Sequence, residues 1–435
     1  MSKHIAVVGG GISGIGAAFA LHCAGARVEL IESGDALGGR CGPTMFGDRP
    51  VMLGGKNIGR RYTEFRGFVA AMGDHPFEPF GINTSRIVDG RVRGLSSDNR
   101  LNGLRRVLLE MGTPRDTAKL VRYAVRARRS DTGRFLGDEY FAGLAGTADR
   151  KPLSAHFGAK MLENLIRPMT IRMNGAEPDE MYLGTFGTNI GMLDTYDQLT
   201  RGLQPVLDAF AEKVDVRLRA TVRGLVVRDG RVTGLRISDG EGPAREHRYD
   251  GVVLALPAHA AAALVDDDAP TLGKLLSEVR YFPSTVVLVE YDRPVFGREV
   301  RAIALDGGPC SNIGAYGVED RHIARYTFSG RLARPVPTPE RLDGWLDETE
   351  EMLRPHLELA GATRVRRLVR SWEAAYCGYV PFHGEFLARL DAELAAVPGL
   401  TLAGDYRRGA SLEACFRSGL DAAHAQLGDR TGTAA

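Results

Sequence analysis

The sequence is short of several things at once. No stretch of its 435 residues approaches the roughly 18 apolar residues of a membrane-spanning helix. The five cysteines (Cys23, Cys41, Cys310, Cys377, Cys415) are odd in number, scattered and without metal-ligand spacing. Neither a disulfide framework nor a bound metal is expected from them. Net charge is only +2, which argues against a dedicated nucleic-acid partner. Few of the 56 basic residues are lysine, which reads as coding bias before function. No leader is expected ahead of Ile5, because an apolar run begins there at once. Together these absences give the expectation of a soluble protein in a reducing, cytoplasmic setting.

What is present begins at the N-terminus. Ile5 to Val8 is a short apolar run bounded by glycines and reads as a buried strand. Gly9, Gly11 and Gly14 then form G-x-G-x-x-G, followed by a helix through Ala17, Ala18 and Leu21 and a second strand, Val28 to Ile31, ending in Glu32. In this order the glycines permit a tight turn, a pyrophosphate close to the backbone, and tight helix–strand packing. The helix directs its positive end at the phosphates. An acid about 20 residues beyond the glycines suits a ribose diol, which favours FAD or NAD over NADP.

The continuation departs from a plain NAD dehydrogenase. Gly38, Gly39 and Arg40 make a second glycine loop with a cation, suited to a second phosphate. Val51 to Gly59 is another apolar run broken by Gly54 and Gly55, where a backbone can lie against a flat ring. Lys56 next to it suits a held water, a substrate anion or tuning of a flavin, and equally a surface position.

From about 60 to 200 the apolar spacing is helical, in segments such as LNGLRRVLLEMG and TAKLVRYAVRARR. Arg122, Arg126, Arg128 and Arg129 lie on one such helix, read first as a solvated face. Strands return at VDVRLRATVRGLVVRDGRVTGLRISDG, with Asp229-Gly230 as a hairpin turn, and at Val252 to Leu256. VRYFPSTVVLVEY and ARYTFSG read as strands of a second sheet, and ERLDGWLDETEEMLRPHL as an amphipathic helix. Near the C-terminus Leu400 to Ala403 is a strand capped by Gly404 and Asp405, and Ser411 to Leu427 a helix. The final GDRTGTAA has the composition of a disordered tail.

The motifs VVGGGISGIGAAFAL…VELIE, ALGGRCG, VMLGGKNIG, YDGVVLALPA and LTLAGDYRRGASLEACFRSGLDAA occur in this order over most of the chain. The chain thereby resembles the FAD-dependent amine oxidase, protoporphyrinogen oxidase and phytoene desaturase superfamily. The resemblance implies an α/β fold: a Rossmann-like FAD-binding domain of GR2 type assembled from discontinuous segments, plus a substrate domain of mixed sheet and helices. Expected boundaries are 1–60, 203–280 and 370–430 for the first, and 61–202 and 281–369 for the second.

By position, Gly9, Gly11, Ser13 and Gly14 would cradle the pyrophosphate and Glu32 the adenosine ribose. Gly39 and Arg40 would serve the phosphates and ribityl chain, and Gly54 and Gly55 would back the flavin. Val222 would meet the adenine through its backbone. Gly404 and Asp405 would bind near the ribityl chain, and Leu412, in the turn from Ser411 to Ala414, would lie by the pyrimidine edge. Two departures matter. Many relatives use a lysine on a middle strand, and 280–300 contains none. Cys377 lies where some relatives link flavin covalently, but SWEAAYCGYVPFHG follows the W…P pattern of non-covalent ones.

The implied activity is removal of hydride from a C–N or C–C bond of a small molecule, with oxygen or another acceptor reoxidising FAD, in a setting such as specialised metabolism. Lys56, Trp372 and Tyr379 are the candidate substrate- or flavin-facing residues, with Tyr376 beside them. The competing readings are a redox-neutral FAD-dependent isomerase and a non-catalytic flavin-binding subunit.

Overall fold

The structure, a computed structural model, describes residues 2–80, 85–88, 90–94, 112–192 and 195–428. Its centre is a five-stranded sheet in the order Asp215–Arg217, Arg27–Ile31, His4–Val8, Gly251–Ala255, Leu400–Ala403. Every pairing in it is parallel. Ile5, Ala6, Val7, Val252, Val253 and Leu254 are fully buried, as expected of strands covered on both faces. The strands come from three distant parts of the chain, so His4–Val8 finds its second neighbour almost 250 residues away.

The helices Ile12–Cys23 and Leu412–Leu427 pack together through small residues. A Cβ on Gly419 would stand 2.1 Å from the Ser13 carbonyl oxygen, and one on Gly16 would stand 2.5 Å from that of Phe416. Only glycine allows these backbones so close. The rings of Phe19, Phe65 and Phe68 close around Phe416 at centroid separations of 6.3, 5.9 and 5.2 Å.

An antiparallel three-stranded sheet, Ala220–Arg228, Arg231–Asp239 and Arg245–Arg248, covers one flank, turning at Asp229 and Gly230 (φ 51° and 72°). A seven-stranded sheet runs Arg364–Gly378, Arg280–Tyr291, Ile323–Phe328, Cys310–Ala315, Ala302–Ala304, Ser85–Val88, Arg91–Gly94. The helix Pro339–Leu353 packs on it, with Trp345 stacked on Phe328 at 5.8 Å.

Residues 60–200 hold the expected helices, among them Pro114–Arg129, Glu139–Ala148, Arg167–Asn174 and Phe186–Gly191. They also hold strands that a helical reading missed. Phe77–Pro79 and Tyr196–Leu199 pair in a small sheet with Ile58–Gly59. Strands this short leave no period in the sequence. On the Pro114–Arg129 helix, Arg126 lies over the Tyr140 ring at 5.3 Å and Arg122 over that of Tyr123 at 5.6 Å. The LNGLRRVLLEMG helix, except its final glycine, and the C-terminal tail beyond residue 428 lie outside the described residues. No helix among the described residues is long and apolar enough to cross a membrane.

Candidate cofactor and active site

The first glycine loop lies at the carboxyl end of His4–Val8. Gly9 has φ +101°, and Gly14 sits so close to it that a Cβ would meet the Gly9 carbonyl oxygen at 1.8 Å. Gly11 differs: nothing lies within 4 Å of the position its Cβ would take. It forms the start of the Ile12–Cys23 helix, which has no side-chain cap and no acid in its first turn. Ser13, in that turn, is buried. The second loop docks on the first, through a bridge between Gly11 and Gly38 and a Gly38 N–H to Gly10 carbonyl bond of 2.8 Å. A Cβ on Gly39 would lie 3.1 Å from Gly11 Cα.

Glu32 ties the loops to the second strand. Its Oε2 accepts from the Gly10 N–H at 2.7 Å and its Oε1 from the Gly34 N–H at 2.6 Å. Ser33 Oγ donates to the same Oε1 at 3.2 Å, and of the roughly four acceptor sites of a carboxylate one remains for a ribose hydroxyl. The Ala220 N–H donates to the Glu32 carbonyl at 3.0 Å, which brings the strand carrying Val222 to the same corner. The Val222 side chain itself is packed in the core, opposite Ile237.

Arg40 and Asp405 meet each other. Arg40 Nη1 donates to Asp405 Oδ2 at 2.7 Å and to the Ala375 carbonyl at 3.1 Å. Tyr281, which nothing in the sequence singles out, donates its hydroxyl to Asp405 Oδ1 at 2.7 Å and accepts the Ala258 N–H at 3.0 Å. Burial works against the Arg40 charge, but Asp405 and Tyr281 outweigh it and hold the guanidinium above its ordinary pKa. Burial, then Asp405, pushes the Tyr281 phenol well up, so it stays a donor. Gly404, just before this carboxylate, donates its N–H to Ser418 Oγ at 3.0 Å.

Gly54 and Gly55 face the chain as well as any ligand. A Cβ on Gly54 would lie 1.8 Å from the Arg40 carbonyl oxygen, so its bareness serves the packing of the two loops. Gly55 is less confined, with Cys41 Sγ at 3.4 Å. Lys56 is buried, and its ammonium donates to Gln198 Oε1 at 2.9 Å and to the Tyr316 carbonyl. It also rests on the Phe80 and Tyr316 rings at 4.0 and 4.4 Å. Burial, then neighbouring Arg325, lowers its pKa well below the lysine value. Two of its three donors are thus spent on protein groups.

The expected aromatic wall divides. Tyr379 is buried and lines a small cavity with Asn174, Asn189, Gly409 and Ser411. Tyr376 packs against Gly175, where a Cβ would meet its ring at 2.6 Å. Trp372 is only half-buried and joins a separate cluster with Phe46, Val51, Leu53 and Val286, away from that cavity. Leu412 opens the Leu412–Leu427 helix with its side chain in the core.

Sequence reasoning also missed two half-buried cations. Arg325 donates to the Leu53 carbonyl at 2.6 Å and to Thr327 Oγ1 at 2.9 Å, beside the Gly54 loop. Arg172, on the Arg167–Asn174 helix, is electrostatically coupled to Arg325 and Tyr376. Burial holds both guanidiniums below their ordinary value. Cys377 is fully buried, and burial, then Asp405, pushes its thiol well up.

The open backbone at Gly11, the uncapped helix start and the remaining acceptor of Glu32 fit a dinucleotide. Comparison with known proteins agrees. The family described as flavin containing amine oxidoreductase matches residues 12–426. Coproporphyrinogen III oxidase of Mycobacterium tuberculosis (strain ATCC 25618 / H37Rv) is 28% identical over 476 aligned positions, covering 94% of each chain. Among solved structures, cyclohexylamine oxidase from Brevibacterium oxydans IH-35A superposes with a TM-score of 0.74 at 20% identity, covering 99% of each chain. Reduced UDP-galactopyranose mutase superposes with a TM-score of 0.70 at 15% identity, covering 99% of this chain and 97% of that one. These two likenesses establish the α/β fold. The chain belongs to the flavin-containing amine oxidoreductase family and is an FAD-dependent oxidoreductase of small molecules.

Proposed function

We propose that this enzyme removes hydride from a reduced, carboxylate-bearing small molecule. Coproporphyrinogen III, named for the mycobacterial relatives, is of that class. The observation that carries the reading is the half-buried guanidinium of Arg325, beside the Gly54 loop. A cation kept in a desolvated site is costly unless an anion completes it. Lys56, the candidate for an amine-oxidase lysine, is instead tied to Gln198 and Tyr316.

FAD, when bound, supplies the hydride acceptor. Gly9, Gly11, Ser13 and Gly14 would hold its pyrophosphate, Glu32 its adenosine ribose and the backbone at Val222 its adenine. Gly39, Arg40, Gly404 and Asp405 would lie along the phosphates and ribityl chain, and Gly54, Gly55 and Leu412 along the ring. The raised pKa of the Cys377 thiol favours non-covalent binding. The chain would divide into the FAD segments 1–60, 203–280 and 370–430 and a substrate part made of the rest. Arg325 orients the substrate through its carboxylate, and Tyr379 closes one side. Oxygen is the acceptor in this reading, and the location is cytoplasmic.

The test is an anaerobic absorbance titration of the purified holoenzyme with coproporphyrinogen III, cyclohexylamine and other amines. Bleaching of the flavin band by the carboxylated substrate, with recovery in air and release of peroxide, is expected. Arg325→Met should then raise KM at least about tenfold with little change in kcat. Bleaching by amines alone overturns the substrate class. A flavin band that nothing bleaches shifts the reading to a redox-neutral isomerase or a flavin-binding subunit.

A further inference from the structure

The cavity lined by Tyr379 contains a group of polar atoms that the reading above does not use. It lies between the helices Arg167–Asn174 and Phe186–Gly191 and the start of Leu412–Leu427, with Arg134 on one wall and Asn189 on another. Arg134 Nε and Nη1 and Asn189 Oδ1 are buried and have no hydrogen-bond partner in the protein. The Arg134 side chain is 4% exposed and Asn189 is 1% exposed.

Their other atoms are committed, which fixes the groups in place. Arg134 Nη2 donates to the Arg61 carbonyl at 2.6 Å and to Asp131 Oδ1 at 2.8 Å. Asn189 Nδ2 donates to Asn174 Oδ1 at 2.6 Å, leaving its own oxygen as the acceptor. The Arg134 charge is only partly offset, because Asp131 is 49% exposed and also pairs with Arg417. The 16-residue helix Leu412–Leu427 begins at the same cavity. The Ser411 hydroxyl caps only the Ala414 N–H, while first-turn amides point out of the helix end. Each unsatisfied buried polar atom costs about 1–3 kcal/mol. Three on two side chains that line one cavity leave donors and an acceptor for a group that completes them.

A cationic donor and helix amides on one side, and a fixed acceptor on another, define a complementary edge: carbonyl oxygen next to N–H. We propose that Arg134 and Asn189 bind such an imide-like edge, with Arg134 donating to its oxygen and Asn189 Oδ1 accepting from its N–H. Two molecules of the reaction could present it: the pyrimidine ring of the flavin, or a substrate bearing an amide or imide. The proposal rests on the FAD reading above, and the experiment separates the two.

Apoprotein is titrated with FAD and with 3-methyl-FAD, whose N–H is blocked, and the midpoint potential of each holoenzyme is measured. Wild type, Arg134→Met, Arg134→Lys and Asn189→Leu are compared, with melting curves to verify folding. If the edge is the flavin's, 3-methyl-FAD binds wild type at least tenfold more weakly than FAD. Asn189→Leu erases that preference, and Arg134→Met lowers the potential while Arg134→Lys largely keeps it. If the edge is the substrate's, both flavins bind alike at unchanged potential, and KM rises at least tenfold in Arg134→Met and Asn189→Leu. The proposal is overturned if wild type does not distinguish the flavins and the variants, folded, keep potential and KM within twofold. Wild type that takes up no FAD at all refutes the FAD reading instead, an outcome visible before any variant is made.

Discussion

Asp405 shows how much one carboxylate can organise. It is 1% exposed and is held between the Arg40 guanidinium and the Tyr281 hydroxyl, from partners 365 and 124 residues away. Removing one member of a buried pair leaves the other charge uncompensated, at about 3–5 kcal/mol. Asp405→Asn should therefore lower unfolding stability by an amount of that order, read from urea titration, and weaken FAD binding as well. The sequence marks Asp405 and Arg40 because each follows a glycine turn. It does not mark Tyr281, whose role exists only once Arg280–Tyr291 is laid beside them. Arg134, Asn189 and Arg325 escape notice for the same reason.

His383 gives a second prediction at this scale. It is 3% exposed, its Nε2 lies 2.8 Å from the Tyr406 carbonyl, and its Nδ1 has no partner in the protein. Burial lowers its pKa to about 4, against roughly 6.5 in the unfolded chain. Below pH 6.5 the unfolded chain takes up a proton that the folded one refuses. Its contribution is therefore complete above pH 6.5 and is lost as pH falls towards 4, by on the order of 3 kcal/mol. Denaturant titrations at pH 7.5 and 5 should show this slope in wild type and a flatter one in His383→Gln.

At the scale of the element, the first glycine loop separates two roles that its motif merges. Gly14 is needed by the fold, since a Cβ would run into the Gly9 carbonyl. Gly11 has open space and an ordinary extended backbone, φ −74° and ψ 177°. Gly11→Ala should keep the apoprotein's melting temperature within a degree or two, a change under about 0.5 kcal/mol. It should still weaken FAD at least about tenfold, because in the proposed site the methyl would occupy the phosphate's place. Gly14→Ala should lower both stability and binding. Thermal melts of apoprotein alongside FAD titration distinguish them.

This strand–loop–helix unit was legible because its signals are local: apolar run, glycines, helical period, acid. The small sheet of Ile58–Gly59, Phe77–Pro79 and Tyr196–Leu199 was not, since its strands exist by virtue of partners more than a hundred residues away. Trp372 was legible as an aromatic near the final FAD motif, but its direction was not. On the Arg364–Gly378 strand successive side chains face opposite ways, and its own goes to the Phe46–Val51 cluster.

At the scale of the molecule, FAD bound at the proposed site would itself be part of the stability. The loops that would hold it meet at Gly11 and Gly38 only in the folded chain. Free FAD at about a hundred times its dissociation constant should raise unfolding free energy by about 2.7 kcal/mol. The melting temperature of apoprotein should therefore climb steadily with FAD concentration, and Gly11→Ala should need about tenfold more FAD for the same rise.

The glycine-mediated contact of the Leu412–Leu427 helix with Ile12–Cys23 has a consequence in time. During synthesis the surface that the first helix packs against emerges about 400 residues after it. The edge strand Leu400–Ala403 arrives just before it. The nascent chain must therefore carry the small-residue face of its first helix uncovered through that interval. In the proposed site, cofactor loading would wait on these segments, and a chain cut before Leu400 would lack both the strand and the helix that complete it.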